Sequence, residues 1–372
     1  MKKFVALLLA MLMVFGLVAC GSDEGTTTDT SSNNTTNETA DKGDAEQAET
    51  SGETSAPSGD FTPADEIEYP QGKNIYSKPA DIVSEKPLKI ATVMVQTNPF
   101  GAAVLKGQEF AKSVLADRNC TVDCISVDSM DIIKWTNTLE NLIASQYDAI
   151  CFFGVSDELM PVTQSAIDAG IDVYTFNGDL PDSGRLAWYG MDDYAAGQAA
   201  GQALLDAVGE EGSYAIITGD FTVYGHEKRR TGARDVLDPI EGLELVGEYE
   251  AHDDAAESYT HATNIITANP DIDAIYLTAG GPSGAAQAVA DAGLSGEIAI
   301  ICHDVLPEQA PYIADGTITA CIDQDPFSQG YQPVIDAFNK LVTGEGPKEE
   351  LNYYDAVIAT PDNVKELFPE LF

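Results

Sequence analysis

The chain has 372 residues, of which 44% are hydrophobic and 8% aromatic, enough for two ordinary domains and a tail. Its 61 acidic residues against 19 basic ones give a formal net charge of -42. A surface that negative repels nucleic acid and anionic lipid, which excludes a DNA- or RNA-binding role; the acidity serves solubility, or meets basic residues of a partner.

Lys2 and Lys3 open the chain, and Phe4 to Val18 form an apolar core too short to span a bilayer, which takes about 20 residues. The core ends in Leu17-Val18-Ala19-Cys20-Gly21, which looks like a bacterial lipobox. In signals of that kind the cysteine thiol is acylated and becomes the mature N-terminus. Residues 1–20 are therefore expected to be a lipoprotein signal peptide, with Cys20 as the lipidation site. The chain would sit on the extracytoplasmic face of the bacterial cell membrane, held by its lipid anchor alone. From Gly21 to about Glu85 the composition shifts to Ser, Thr, Asn, Asp, Glu and Gly. Such a segment cannot bury enough apolar surface to offset its ordering entropy, and residues 21–85 are predicted to form a disordered acidic tether. Within it, Ile67–Val83 is more apolar and is expected to pack loosely on the first lobe.

Leu88–Val95 reads as a buried strand, followed by helical periodicity from Pro99 to Asp117. Strand-like runs recur at Val122–Val127, Ala149–Phe153 and Asp172–Phe176. A second series lies near Tyr214–Thr218, Leu245–Tyr249, Ala274–Thr278, Ile298–Cys302 and Ile318–Ile322. Helices such as Ala255–Ala268 and Gly284–Ala292 fall between them. Strand–helix alternation with short connections predicts an α/β protein with parallel sheets covered on both faces, and two series predict two doubly wound lobes. Cys120 and Cys124, if extended, lie about 13 Å apart, beyond disulfide reach. Cys151, Cys302 and Cys321 sit in apolar runs that favour buried free thiols. Nothing in the Cys and His spacing suggests a metal, and no cofactor motif is found.

In open parallel sheets, ligands bind beyond the carboxyl ends of the strands. The residues there include Gln96-Thr97-Asn98-Pro99-Phe100, Asn177-Gly178-Asp179, Asp253-Asp254, His303-Asp304 and Gln324-Asp325. This is the inventory of a polar-solute cleft, and equally of helix caps, since Asn and Asp favour N-cap positions. Trp188-Tyr189 stands where a ring could face the cleft, although packing is the default for an aromatic, as it is for Trp135.

In this setting the chain resembles the type I periplasmic binding proteins, in particular their sugar-binding, ribose-binding-protein-like branch. The resemblance covers roughly Leu88 to Ala359. It is carried by Asn98-Pro99-Phe100, Gly190-Met-Asp192-Asp-Tyr194-Ala-Ala-Gly197, Arg229-Arg-Thr-Gly232, Ala268-Asn-Pro-Asp271, His303-Asp304 and Ile322-Asp-Gln-Asp-Pro326. It implies lobes at 86–190 with 325–350 and at 191–324 with 351–372, joined by a three-crossover hinge. It also implies ligand contacts at Asn98, Phe100, Asn177, Asp304 and Gln324, with Gln96 beside them. Where ribose receptors grip with two arginines, the alignment places Gly178 and Glu227, and Asp253 stands near an expected aromatic. Glu227 and Asp253 thus join the candidate ligand residues, and carboxylates in place of cations argue against ribose itself. The implied function is a monomeric substrate-binding lipoprotein that delivers a sugar-like ligand to an ABC permease and its ATPase. The alternative is a receptor presenting a sugar or autoinducer to a signalling partner. Catalysis is disfavoured: His303 and Asp304 are adjacent on a strand and point to opposite faces. The Gly280-Gly281-Pro282-Ser283-Gly284 loop matches neither a P-loop nor a nucleophile elbow. A sugar-responsive repressor would need a DNA-binding headpiece where this chain carries a lipoprotein signal.

Overall fold

The computed structural model describes residues 61–372; the signal-like start, Cys20 and residues 21–60 of the expected tether lie outside the described residues. Strand β1 (Leu88–Met94) buries six of its seven residues, which requires cover on both faces. There follow α1 (Pro99–Leu115), β2 (Cys120–Ser126), α2 (Ile132–Ala144), β3 (Ala149–Phe153), α3 (Met160–Asp168), β4 (Asp172–Phe176) and β5 (Ala187–Gly190). The second series opens with α4 (Asp193–Val208), β6 (Gly212–Thr218), α5 (Tyr224–Leu237), β7 (Leu243–Glu250) and α6 (Ala255–Ala268). It continues with β8 (Ala274–Leu277), α7 (Pro282–Asp291), β9 (Ala299–His303), α8 (Ala310–Ala314) and β10 (Ala320–Asp323). The chain closes with α9 (Pro326–Thr343), β11 (Leu351–Tyr353), β12 (Val357–Ala359) and α10 (Val364–Leu367).

These strands build two six-stranded sheets, ordered β11-β5-β4-β3-β1-β2 and β12-β10-β9-β8-β6-β7. Both series wind the same way, and the antiparallel pairing of β12 with β10 is the exception to parallel order. The architecture is two doubly wound α/β lobes. The strand–helix alternation does not reveal β5, β11 or β12, which at three or four residues carry too little pattern to read.

The chain crosses between lobes at Gly190–Met191, at Gln324–Asp325 and at Tyr354–Ala356. Helix α9 returns to the first lobe, where Phe327, Tyr331, Val334, Ile335 and Phe338 join its core. Close approach of helices decides several glycines here. A Cβ on Gly107 of α1 would strike the carbonyl of Phe327, and one on Gly330 of α9 would strike that of Val104. The second lobe repeats the device between α4 and α5, at Gly197 and Gly232.

Two expected boundaries need correction. The first lobe does not end at 350, because β11 pairs with β5 through Tyr353. Beyond it the Tyr354 amide still donates to Gly190 O, and the Tyr354 hydroxyl donates to Ser328 O. Nor does a tether run to Glu85. Residues 61–85, irregular apart from a 3-10 turn at Ala64–Glu66, run along the first lobe and satisfy polar groups that would otherwise be stranded. The fully buried Arg118 donates to Thr62 O and Ala80 O, beneath the Phe61 ring. Gln332 and Asn339 of α9 accept from the amides of Tyr76 and Ala80. Side chains contribute as expected for Ile67–Val83, with Tyr69, Ile75 and Ala80 packed against the first-lobe core, but composition hides the backbone pairing.

Candidate functional site

The carboxyl ends of both sheets face a slot of about 1260 Å³. On the first lobe, Asn98 leads into α1: its Oδ1 accepts from the Gly101 amide at 2.7 Å, and Pro99 presets the first turn. Phe100 follows in the wall of the slot. After β4 comes Asn177, with φ of 58°, a left-handed conformation that Asn tolerates better than most residues. Its Nδ2 donates to Gln324 Oε1 and to Gln329 Oε1, both at 3.0 Å.

Gln324 sits on the second crossover, and its Nε2 donates to Asp304 Oδ1 at 2.7 Å. One line of hydrogen bonds therefore runs from the first lobe, through the hinge, to the second lobe. Asp304 follows β9 with φ of 68°. Burial pushes its carboxyl above the usual carboxylate range, against the opposing pull of Arg229 and the Gln324 hydrogen bond. Asp253, also left-handed at φ 57°, accepts from the Gly280 amide at 3.0 Å. Strained backbone at three slot residues is the pattern of positions whose geometry the fold over-determines.

The slot therefore gathers Asn98, Phe100, Asn177, Asp253, Asp304 and Gln324. It does not gather Gln96 or Glu227. Gln96 turns toward the buried Gln108, whose Oε1 accepts from its Nε2 at 3.3 Å. Glu227 forms a two-pronged pair with Arg230, at 2.7 Å for each bond, which holds its carboxyl below the usual range. The reason is helical phase. On α5, His226 and Arg229 are three apart and share the slot face, while Glu227 and Arg230 share the next face round. The argument against ribose loses its footing at Glu227. Gly178 has another explanation, since a Cβ there would strike the Gly154 carbonyl and the Phe153 ring.

Sequence reasoning missed several lining residues. Arg229 is buried, donating to Asp193 Oδ1 at 2.7 Å and to Thr278 O at 3.2 Å. Arg185 pairs with Asp179 at 2.6 Å and with Glu350 at 3.1 Å. His226 Nδ1 accepts from the Asp220 amide, and burial holds the ring below its ordinary pKa, hence neutral. The His226–Arg229 spacing was the available signal. Trp188 lines the slot with its Nε1 donating to Asn177 O at 2.9 Å, whereas Trp135 is a core residue whose Nε1 donates to Ser129 O. Slot carboxylates outnumber Lys and Arg, and both arginines are committed to ion pairs. His303 is fully buried against the Tyr276 hydroxyl, apart from Asp304. Among the described residues, no cluster of three or more His, Cys, Asp or Glu is placed to hold a metal ion. Cys120, Cys124, Cys151, Cys302 and Cys321 are free thiols.

Two doubly wound lobes, three crossovers and a polar slot at the strand ends define a two-lobed solute-binding module. The chain belongs to the periplasmic binding protein domain family, whose pattern matches residues 91–346. It is 29% identical over 259 residues to the D-allose-binding periplasmic protein of Escherichia coli K12, covering 65% of this chain and 81% of that one. It is 27% identical over 288 residues to the D-ribose/D-allose-binding protein of Pseudomonas aeruginosa, covering 74% and 88%. Among solved structures it is similar to GanP, a glucose-galactose binding protein from Geobacillus stearothermophilus, with a TM-score of 0.67 at 26% identity. That match covers 75% of this chain and 99% of GanP. These relatives are binding proteins, not enzymes.

Proposed function

We propose that this chain captures a neutral monosaccharide or related polyol between its lobes and delivers it to an ABC permease and its ATPase. The observation that carries the reading is the hydrogen-bonded line Asn177–Gln324–Asp304, which presents polar groups from both lobes and the hinge to one slot beside the Phe100 ring. A sugar has matching chemistry: a weakly polar ring face for the aromatic and a rim of hydroxyls for the amides and carboxylates. The names of the relatives, which bind allose, ribose, glucose or galactose, support the same class. Asn98, Phe100, Asn177, Asp253, Asp304 and Gln324 are the proposed contacts, with His226, Arg229 and Trp188 added to them. The slot's carboxylates and committed arginines disfavour anionic sugars, because an unpaired anion brought among them would be poorly compensated. Ribose remains in the candidate set.

No chemistry is required. Ligand that bridges both lobes shifts the population toward the closed form, and that form offers a composite surface to the permease. The protein acts as a monomer, lipid-anchored at Cys20 on the extracytoplasmic side. A thermal-shift screen over aldopentoses, aldohexoses, polyols, aminosugars and uronates tests this reading. The expected result is a raised unfolding temperature with one or a few neutral sugars. A screen in which uronates alone stabilise the protein, or no sugar does, would overturn it.

A further inference from the structure

The segment before β1 lies outside the family-matched residues 91–346, yet it reaches the hinge. Asp325, on the second crossover, holds a left-handed φ of 52° and caps α9. Its Oδ2 accepts from the amides of Lys73 at 2.6 Å and Asn74 at 2.7 Å, and from Asn74 Nδ2 at 3.1 Å. The other end of the same side chain serves the third crossover: Asn74 Oδ1 accepts from the Asp355 amide at 3.2 Å and from the Tyr76 hydroxyl at 2.8 Å. Asn74 is 4% exposed, and its bonds to Asp325 are buried. Lys73 then extends to the second lobe. Its Nζ donates to Leu367 O and lies 4.3 Å from the centre of the Phe368 ring.

We infer that residues 73–76 form a clasp on the hinge, with Asn74 as a positioning residue that fixes the lobe separation seen here. Two crossovers that must rotate during closure are joined through one buried amide. A neutral amide suits the task because it donates to the Asp325 carboxylate and accepts from the Asp355 amide at once. The slot's own line between the lobes, Asn177–Gln324–Asp304, passes through the second crossover alone, whereas the clasp ties the second crossover to the third. Closure therefore requires the clasp to slip or to move with the hinge. The segment that would lead from the membrane anchor is thus coupled mechanically to the opening of the cleft.

The test is made without ligand, so its outcome is separate from that of the sugar reading. Spin labels are placed through Glu140→Cys on α2 and Glu297→Cys on the second lobe, both exposed. Burial pushes the native Cys120 and Cys124 thiols up to about 12, which leaves them poor nucleophiles for the label. Inter-lobe distances are then read by pulsed electron resonance in the full chain, alone and with Asn74→Ala or Lys73→Ala. The unsubstituted clasp should give one narrow distance. Asn74→Ala should lose it to a broad or two-peaked distribution, and Lys73→Ala, at an exposed position, should broaden it while the unfolding temperature stays close to that of the parent. Unchanged distance distributions in both variants would overturn the clasp. So would broadening in Asn74→Ala accompanied by loss of folded structure while Lys73→Ala leaves the distance untouched, since that pattern marks Asn74 as a purely structural residue.

Discussion

Replacing Asp304 by Asn separates binding from stability. The carboxyl is buried, and burial raises its pKa despite the neighbouring Arg229, so the folded protein disfavours the charged form. Asn removes the charge, keeps an oxygen to accept from Gln324 Nε2, and tolerates the left-handed φ of 68° that would strain Ala. Sign matters here. A raised folded pKa stabilises fully below the unfolded value, and that contribution is lost as pH rises through the folded value. Relative to the parent, Asp304→Asn should therefore gain stability with rising pH. Binding should move the other way. Asn puts an NH2 where the carboxyl has its second acceptor oxygen, so a sugar hydroxyl donating there loses a hydrogen bond of about 0.5–1.5 kcal/mol, and affinity should fall roughly 2- to 12-fold. Urea unfolding at pH 5 and pH 8, with calorimetry on the sugar that gives the largest thermal shift, measures both. A variant that is less stable at every pH yet binds unchanged would show Asp304 to be a structural cap, and the reasoning would fail.

Asp323, buried and close to the Asp325 carboxylate, is pushed up to about 7, burial being the larger cause. Its proton stabilises the folded state below the usual carboxylate pKa and is lost as pH rises through about 7. The destabilisation caused by Asp323→Asn should therefore shrink between pH 5 and pH 8, by roughly 2–3 kcal/mol; a pH-independent difference in urea unfolding contradicts this. Gly107→Val forces α1 from α9 and should cost about 3 kcal/mol. By contrast, Gly296→Ala, with open space around it and φ of 79°, should cost about 1 kcal/mol in the same urea assay. Similar losses for the two would refute the close-packing argument. In the native protein at pH 8, Cys120, Cys124, Cys151, Cys302 and Cys321 should react with Ellman's reagent only slowly, and all five rapidly in guanidinium. A fast native phase from any of them contradicts the burial that raises the Cys120 and Cys124 pKa values.

The long buried strands and their helices were legible because apolar runs and capping residues agree: Asn98, Asp192, Asp254 and Asp325 each cap the helix they precede. The slot was legible through one topological rule, which put Asn98, Asn177, Asp253, Asp304 and Gln324 at strand ends. Helical phase was not. A carboxylate aligned with an arginine suggested Glu227, but one residue is about 100° of rotation on a helix, and the slot received His226 and Arg229 instead. The packing of Ile67–Val83 on the first lobe was expected from its apolar content, but the full order of residues 61–85 was missed for a different reason. Their order comes from Arg118, Asp325, Gln332 and Asn339, far along the chain, and no local pattern announces a backbone that will meet those partners.

The most direct measurement of the central claim is a crystal structure of the protein with the neutral sugar that stabilises it most. The sugar should lie between the lobes, its hydroxyls within hydrogen-bond reach of Asp304 and Gln324 and a ring face over Phe100, with the two walls drawn closer than they stand here. A sugar bound outside the slot, or bound to one lobe with the other uninvolved, would contradict the account.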